Sequence, residues 1–252
     1  MSWSDVFILL GTLVVCAMAL WLLQHFVPHR MRETHNDVAG FIFAAVGVMY
    51  AVLLAFVVVA VWQNLDSARQ TTFKEADAVA GVYWISRELP LPVGSQLEHD
   101  ALAYARTVES SEWPLMAKHE SSPQATQLVY AMRSDVFGFS PTDPRQQVLY
   151  EHAVTHVEDL ATERRARLTE IDDSVPTIMW VALITGGLLT VAFTYLFGLS
   201  NTLAHGLMVL TLTALVVVSL LLIKEMDFPF TGVTRVEPTA FEVFLSRLPP
   251  PR

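Results

Sequence analysis

Long apolar stretches dominate the pattern of hydrophobic and polar positions along the chain. Residues 6–29, 38–65 and 174–223 contain no Asp, Glu, Lys or Arg. A helix needs roughly 20 apolar residues to cross a bilayer core, so each of the first two runs holds one span. The third run holds two, because turn-forming residues at 198–202 interrupt it. The pattern therefore predicts transmembrane helices near residues 6–27, 38–62, 176–197 and 203–223.

The region between the second and third spans has the pattern of a soluble helical bundle. No proline follows Trp62 until Pro90, so we expect the second span to continue into this region as one long helix. A further helix is expected from about Ser95 to Trp113. Two more are expected to begin at Pro123, ending near Gly138, and at Pro144, because Ser122 and Asp143 are suitable caps before a proline.

The last of these helices carries a regular apolar stripe, which favours a core or subunit contact. Its members are Leu149, Ala153, Val157, Leu160, Leu168, Ile171 and Val175. We expect this helix to continue through Pro176 into the third span. The predicted fold is all-α: a polytopic membrane protein with four transmembrane helices and an inserted soluble helical bundle. Its parts are a transmembrane hairpin at 1–63, a soluble domain at 64–175, a second hairpin at 176–224 and a C-terminal tail at 225–252.

Composition agrees with a lipid environment and restricts the partners. Charged residues make up 16% of the chain, against about 25% in ordinary soluble domains. Residues 64–175 hold ten Lys and Arg against eighteen Asp and Glu, which gives this region a net charge of −8. An acidic surface argues against binding to nucleic acid or to anionic lipid. The expected partner is the bilayer itself.

The distribution of basic residues near the span ends predicts the orientation. Two arginines, Arg30 and Arg32, flank the spans on the side of the short 28–37 loop. The side that holds the soluble domain carries more: Arg69, Lys74, Arg164, Arg165, Arg167, Lys224 and Arg235. Because cytoplasmic flanks carry the excess of Lys and Arg, the soluble domain and both termini are expected in the cytoplasm.

Catalytic signatures are absent from the sequence. It has no nucleophile elbow, no Walker loop, no His-Glu-x-x-His and no dinucleotide-binding glycine pattern, so we expect no enzyme activity and no cofactor. The most metal-like set is His152, His156 and Asp159, whose spacings of four and three place them on one helix face. A solvated helix face explains the same spacing and is the favoured interpretation.

The second span has a face of small residues. Gly40, Ala44, Gly47, Ala51 and Ala55 recur at steps of four, three, four and four. Small residues at this spacing let helix backbones approach closely in a membrane. Two interpretations stay open, tight packing inside one subunit and packing around a symmetry axis that lines a pore.

Three polar residues stand directly before this span. Asn36 or Asp37 is suited to cap the helix by accepting a backbone N–H bond. Capping accounts for one of them but not for the run of His35, Asn36 and Asp37 together. The second interpretation is a ring of ion-facing groups at the mouth of an oligomeric pore.

The sequence resembles the bacterial bestrophin-like membrane family. The resemblance rests on the run HNDVAG at residues 35–40 and on VMYAVLLAFVV at residues 48–58. After the fourth span, DFPFTG at residues 227–232, followed by Pro238 and Phe241, is similar to an exit motif that members carry as Leu-Asp-x-Pro-Phe-x-Gly. Met226, in place of the leucine, is a conservative departure from that motif, and Thr231 occupies one of its variable positions.

The resemblance implies a four-span subunit of a bacterial inner membrane and a likeness to bestrophins, which are oligomeric anion channels with cytoplasmic termini. No residues match a bestrophin calcium clasp, so the ion type does not carry over. The leading hypothesis is a homo-oligomeric ion channel, with the small-residue face at the pore and inorganic ions as its cargo. The alternative is a non-conducting scaffold or sensor whose soluble bundle binds a protein. A membrane enzyme that uses His35 and Asp37 ranks last, because it lacks a nucleophile.

Overall fold

The computed structural model describes residues 3–27, 32–34 and 36–249. It is all-α over these residues, as the sequence predicts. The helices are α1 (Trp3–Phe26), α2 (Asn36–Ser86), α3 (Val93–Thr107), α4 (Trp113–Met116), α5 (Pro123–Gly138), α6 (Pro144–Thr169), α7 (Thr177–Thr194), α8 (Thr202–Met226) and α9 (Thr239–Ser246), with a π-helical turn at Val108–Glu112.

The chain forms two compact units. A membrane unit consists of the residues up to Trp62 together with Ser174–Asp227. A soluble unit consists of Gln63–Asp173 together with the residues from Phe228 onward. Residues 228–249, expected as part of a tail, therefore belong to the soluble unit.

The membrane unit contains the four predicted spans. In the described part of the chain, α1, α2, α7 and α8 are long and apolar enough to cross a membrane, which confirms the four-span prediction. An ion pair joins one end of α1 to one end of α8, where Lys224 Nζ donates to the buried carboxylate of Asp5 at 2.8 Å. Tyr195 adds a second tie to α1 by donating its hydroxyl proton to the carbonyl of Cys16 at 3.2 Å.

Helix α2 continues past the second span without a break, as predicted. Its 51 residues correspond to a length of about 77 Å at 1.5 Å per residue. The helix ends at Ser86, before Pro90 and Pro92. Proline removes a helical N–H and restricts the residue before it, which accounts for the end.

The prediction that α6 continues into the third span is wrong. Helix α6 ends at Thr169, and α7 begins only at Thr177 after a non-helical segment. Pro176 takes the N-cap position of α7 with extended backbone angles. A proline there has no N–H for a preceding turn, and it disfavours helix at the residue before it.

The caps in the soluble unit follow the predictions. The Ser122 side chain accepts a hydrogen bond from Ala125 N, and the Asp143 side chain accepts one from Gln146 N. The predicted helix from Ser95 to Trp113 differs in its last part, which widens into the π-helical turn. Pro114 explains the change, because a proline cannot donate to the carbonyl four residues back and its ring collides with that carbonyl.

The C-terminal segment folds onto the soluble unit around Trp113. Phe230, Val236 and Phe241 are buried there. The Trp113 indole N–H donates to the carbonyl of Val236 at 3.0 Å, and the rings of Phe230 and Phe241 meet it edge to face. Gly232 has a φ of 76°, a left-handed conformation that glycine adopts at low cost. This explains the glycine at the end of the DFPFTG run.

Candidate functional site

The small-residue face of α2 is left open by the part of the chain that the structure describes. Ala44, Ala51 and Ala55 are exposed. A Cβ built on Gly47 would meet no described atom within 4 Å. At Gly40 the nearest contact would be the ring of Phe197 at 3.8 Å. The five residues therefore form an open strip along the membrane part of α2.

A different face of α2 makes the contacts inside the membrane unit. Tyr50, Val57 and Val61 are buried there. The ring of Tyr50 lies against two consecutive glycines of α7. A Cβ on Gly186 would come within 2.7 Å of Tyr50 Cδ2, and one on Gly187 within 2.8 Å of its Oη. These glycines let α7 approach α2 closely and leave the small-residue face free.

The residues expected at the pore mouth have different surroundings. Asn36 forms a reciprocal pair with the loop before α8: its Nδ2 donates to the Gly198 carbonyl and its Oδ1 accepts from the Gly198 N–H, each at 2.9 Å. Its side chain is thus engaged within the chain. Asp37 is exposed in the first turn of α2. His35 lies outside the described residues.

Arg32 reinforces the same loop, a role that the sequence analysis did not anticipate. Its Nη1 donates to the carbonyls of Tyr195 at 3.1 Å and of Phe197 at 3.2 Å. These carbonyls follow the end of α7, where backbone acceptors have no helical partner. The guanidinium therefore closes this end of the helix.

Asp227 of the DFPFTG run binds N–H groups at the start of α7, the third span. Its Oδ1 accepts from Val175 N at 2.7 Å and its Oδ2 accepts from the indole N–H of Trp180 at 3.2 Å. A carboxylate beside the first turn of a helix satisfies unpaired N–H groups and complements the helix dipole. The acidic residue of this motif therefore anchors α7 to the end of α8.

The weak metal candidate is not supported. No group of three His, Cys, Asp or Glu side chains within residues 3–27, 32–34 and 36–249 has an arrangement that could hold a metal ion. His152 and Asp159 are exposed, while the ring of His156 packs against Gly81, where it occupies the space of a Cβ. The ring of His156 is therefore used for packing between α6 and α2.

The soluble unit contains a buried ion network that the sequence analysis missed. Arg167 is fully buried and donates to both carboxylate oxygens of Glu75, with Nη2 to Oε1 at 2.9 Å. The same Nη2 donates to Glu112 at 2.7 Å. Arg164 forms a second fork on Glu112, with Nη2 to Oε1 at 2.8 Å. Tyr104 donates its hydroxyl proton to Glu75.

The electrostatics of this network favour ionised arginines and an ionised Glu112. Burial alone would raise the pKa of Glu112, but the charges and hydrogen bonds of Arg167 and Arg164 hold it below its usual value. Burial disfavours the charged form of Arg167, and Glu75 outweighs this and raises its pKa. Burial, with the charge of Glu75, raises the pKa of Tyr104 well above its usual value, so its phenol is neutral.

The charged groups of the network cross-link three helical segments. Glu75 comes from α2, Arg164 and Arg167 from α6, and Glu112 from the π-helical turn. Arg164 further donates to the Ser122 carbonyl at 3.3 Å. Two guanidinium groups face two carboxylates, and each of the four has several hydrogen bonds, as a buried charge requires. The arrangement explains how α2 is held in the bundle.

The sequence does contain a signal for this network. The buried residues of the apolar stripe include Ala153, Val157, Leu160 and Ile171. They follow alternating steps of four and three residues, and the same series of positions includes Arg164 and Arg167. Both arginines therefore lie on the apolar stripe of α6. On α2, Glu75 likewise falls in a series of buried positions at steps of three and four residues, whose other members are Leu65, Ala68, Thr72, Val79 and Val82. Charges inside two apolar stripes indicate a buried pair.

Comparisons with known proteins agree with this architecture. The family model described as "Bestrophin-like domain" matches residues 10–241. Comparison with curated proteins finds no significant match. The crystal structure of a bacterial bestrophin homologue from Klebsiella pneumoniae, phased on zinc, has a TM-score of 0.68 at 13% identity, over 93% of this chain and 95% of that one.

Two single-substitution variants of the Klebsiella pneumoniae homologue are similar in the same way. One has a TM-score of 0.70 at 13% identity, over 94% of this chain and 98% of that one. The other has a TM-score of 0.71 at 12% identity, over 98% of both chains. These likenesses show the fold. Together with the family match over most of the sequence, they confirm the resemblance drawn from the HNDVAG and DFPFTG runs, and the chain belongs to the bestrophin-like family.

Proposed function

We propose that the protein is a homo-oligomeric ion channel of a bacterial inner membrane. The observation that carries the proposal is the open small-residue face of α2, with exposed Ala44, Ala51 and Ala55 and free space at Gly47. In a bilayer such faces stabilise close helix contacts. Because no helix within residues 3–27, 32–34 and 36–249 covers this face, the contact is made by α2 of neighbouring copies around a shared axis.

The absence of charge within the second span supports passive conduction. Residues 38–65 contain no Asp, Glu, Lys or Arg. Proton relays and voltage sensors need ionisable groups inside the membrane. A passive pore requires only a narrow path lined by small, hydroxyl-bearing or apolar groups. The channel activity that the family resemblance implies is therefore compatible with the composition of α2.

We further propose that the channel favours cations. The soluble region 64–175 has a net charge of −8, and a vestibule with such an excess of carboxylates raises the local concentration of cations. Asp37 adds an exposed carboxylate at the start of α2. The excess of basic residues near the span ends on the side of the soluble domain supports a cytoplasmic vestibule and cytoplasmic termini.

Ion flux from proteoliposomes tests this function. The full-length protein is reconstituted, and K⁺, Na⁺ and Cl⁻ gradients are imposed separately, with empty liposomes as the control. We expect flux of K⁺ and Na⁺ to exceed flux of Cl⁻. Native mass spectrometry of the same preparation is expected to show more than one subunit.

Two results would overturn the proposal. A monomer would leave the small-residue face without its partner helices. An oligomer that passes no ion under any gradient, across a range of pH and Ca²⁺, would favour the scaffold alternative, in which the acidic bundle binds another protein.

A further inference from the structure

A small cavity with basic walls lies between α5 and α6 in the soluble unit. It has a volume of about 180 Å³, below the range of roughly 300–1,000 Å³ that is usual for drug-sized ligands. On both helices the lining residues follow steps of three, one and three positions, so they lie on one face of each helix. The polar lining consists of Thr126, Tyr130, Arg133, Arg164 and Arg165, and none of the described residues that line the cavity is Asp or Glu.

The cavity is basic although the region around it is acidic. Residues 64–175 hold eighteen Asp and Glu against ten Lys and Arg. Three of those ten basic residues, Arg133, Arg164 and Arg165, line this one cavity. Because like charges repel each other at short range, guanidinium groups gather at one place only where anions compensate them. The carboxylates of the chain provide a part of this compensation.

Two of the three arginines have carboxylate partners inside the chain. Arg164 is almost fully buried and forms the fork on Glu112, and its Nη2 also donates to Thr126 Oγ1 at 3.0 Å. Arg133 Nη2 lies 2.9 Å from Glu158 Oε1 in a partly exposed ion pair. These contacts hold both guanidinium groups in position, so the walls of the cavity carry fixed positive charge.

Arg165 and Tyr130 keep hydrogen-bond donors free. Arg165 is exposed, its Nη2 donates to the Thr162 hydroxyl at 3.3 Å, and it has no ion pair among the described residues. Tyr130 is exposed, and its phenol has no hydrogen-bond partner in the described part of the chain. Tyr130 comes from α5 and Arg165 from α6. Each wall of the cavity therefore offers a donor to a ligand.

Donors of this kind select a small oxyanion. The planar fork of an arginine matches the oxygens of a carboxylate or a phosphate. A carboxylate has two oxygens, whereas a phosphate group has three or four and carries a charge of about −1.5 to −2 near pH 7. Phosphate is therefore better suited to bond to both walls and to face the charges of Arg133 and Arg164. None of the lining residues belongs to α2, so the cavity is separate from the small-residue face.

We propose that the cavity between Tyr130 and Arg165 binds a phosphate group. Arg165 and Tyr130 donate hydrogen bonds to its oxygens, and Arg133 and Arg164 contribute positive charge. The phosphate belongs either to a soluble compound or to a lipid headgroup, since both present the same oxygens. The net negative charge of residues 64–175 disfavours an anionic membrane surface, so we expect the soluble source. This site is independent of whether the protein conducts ions.

Calorimetric titration of inorganic phosphate into the full-length protein, held in phosphatidylcholine nanodiscs, tests the site. We expect saturable binding of one phosphate per subunit, with competition by sulfate but not by chloride at the same ionic strength. Arg165→Gln should weaken the affinity about tenfold or more, because it removes a charge-assisted hydrogen bond. Tyr130→Phe removes a neutral donor and should weaken it about threefold to tenfold.

The controls separate this site from general electrostatic attraction and from misfolding. Arg165 and Tyr130 are exposed, so both variants should keep the wild-type melting temperature in the absence of phosphate. Arg106→Gln, at an exposed arginine of α3 that does not line the cavity, makes the same change of charge. It should leave the affinity for phosphate unchanged.

Nanodiscs that contain phosphatidic acid distinguish the two sources of the phosphate group. An unchanged affinity for inorganic phosphate in these nanodiscs would identify a soluble ligand, which is the expected result. Displacement of inorganic phosphate by phosphatidic acid in the wild type would identify a lipid headgroup. Either result, with its dependence on Arg165, supports the site.

Three outcomes would overturn the proposal. The first is the absence of saturable binding at millimolar phosphate. The second is an equal loss of affinity in Arg165→Gln and Arg106→Gln, or no loss in either, which would show that phosphate does not bind in this cavity. The third is a smaller number of subunits in Arg165→Gln by native mass spectrometry, which would show that the cavity is a contact between copies of the chain.

Discussion

The guanidinium of Arg167 is bound by both carboxylate oxygens of Glu75, and neither side chain is exposed to solvent. This pair joins α6 to the part of α2 that belongs to the soluble unit. Glu112 bonds to the same guanidinium, and the Arg167 guanidinium lies 5.2 Å from the Trp113 ring centroid. The long helix is therefore fixed in the bundle by charged groups in addition to apolar packing.

Breaking this pair is expected to destabilise the protein strongly. Arg167→Met leaves the buried carboxylate of Glu75 without its cation and leaves Glu112 with Arg164 alone, and removing one partner of a buried pair costs about 3–5 kcal/mol. Thermal unfolding of the full-length protein in detergent measures the effect. Arg165→Met, at an exposed arginine of the same helix, is the matched control and should leave the melting temperature nearly unchanged. Equal effects of the two substitutions would show that the network contributes little.

Glu170 is expected to lower the stability of the protein as pH rises. Its Oε1 accepts from the hydroxyls of Ser67 at 3.0 Å and Thr71 at 3.2 Å, while its buried Oε2 has no partner among the described residues. Burial raises the pKa of Glu170 above its usual value. Between the usual and the raised pKa, the folded protein binds more protons than the unfolded chain, so this group lowers stability as pH rises through that window.

Glu170→Gln should therefore raise the melting temperature above that of the wild type at neutral pH, because a neutral side chain replaces a poorly solvated carboxylate. The two melting curves should converge as the pH falls below the usual carboxyl range. Glu120→Gln at an exposed position serves as the control. A melting temperature of Glu170→Gln below that of the wild type at neutral pH would contradict this account.

The contact of Tyr50 with Gly187 requires a glycine. A Cβ on Gly187 would lie 2.8 Å from Tyr50 Oη and 2.9 Å from Val216 Cγ1, and overpacking of this kind costs about 1–3 kcal/mol. Gly187→Ala should lower the melting temperature. Gly206→Ala, where a Cβ meets no described atom within 4 Å, should not.

Tyr50→Phe is expected to be neutral or stabilising. The buried hydroxyl of Tyr50 has no hydrogen-bond partner in the described part of the chain, and an unpaired buried hydroxyl is unfavourable. In the background of Gly187→Ala, the same substitution removes the closest clash and should recover part of the lost stability. Strictly additive effects of the two substitutions would argue against direct contact.

Asn36 and Asp37 are adjacent, and their substitutions should have separable effects. Asn36→Ala removes two hydrogen bonds to Gly198, each worth about 1 kcal/mol, so it should increase amide exchange in the loop at 195–201. Asp37→Asn changes an exposed group and should leave this exchange unchanged. In proteoliposomes Asp37→Asn should lower the ratio of K⁺ to Cl⁻ flux. If Asp37→Asn increased amide exchange in this loop more than Asn36→Ala did, Asp37 rather than Asn36 would stabilise the loop.

The spans and helix starts were predictable because each depends on a local signal. Runs without charge locate the four spans, and Ser122 and Asp143 mark the N-termini of α5 and α6 with side-chain caps. The end of α6 was not predictable in this way. Ile171 keeps the spacing of the apolar stripe and is buried although it lies beyond the helix. Periodicity alone therefore extended the helix too far.

The network around Arg167 depends on long-range contacts, which a single sequence does not display. Arg164 and Arg167 occupy positions of an apolar stripe, but charged residues are ordinarily interpreted as solvent-exposed. Their partners, Glu75 and Glu112, are on other segments far away in the sequence. The small-residue face, in contrast, was identified from its spacing. Only the structure shows that the described residues leave this face uncovered.

We propose above that the small-residue face of α2 forms the contact between subunits at the pore. Ala51 and Ala60 are both exposed and lie nine residues apart, which is about two and a half helical turns and so opposite sides of α2. The decisive measurement is K⁺ flux from proteoliposomes that contain Ala51→Leu or Ala60→Leu, with subunit number determined in parallel. We predict that Ala51→Leu abolishes flux or assembly, whereas Ala60→Leu retains both. Wild-type assembly and flux in Ala51→Leu would contradict the claim.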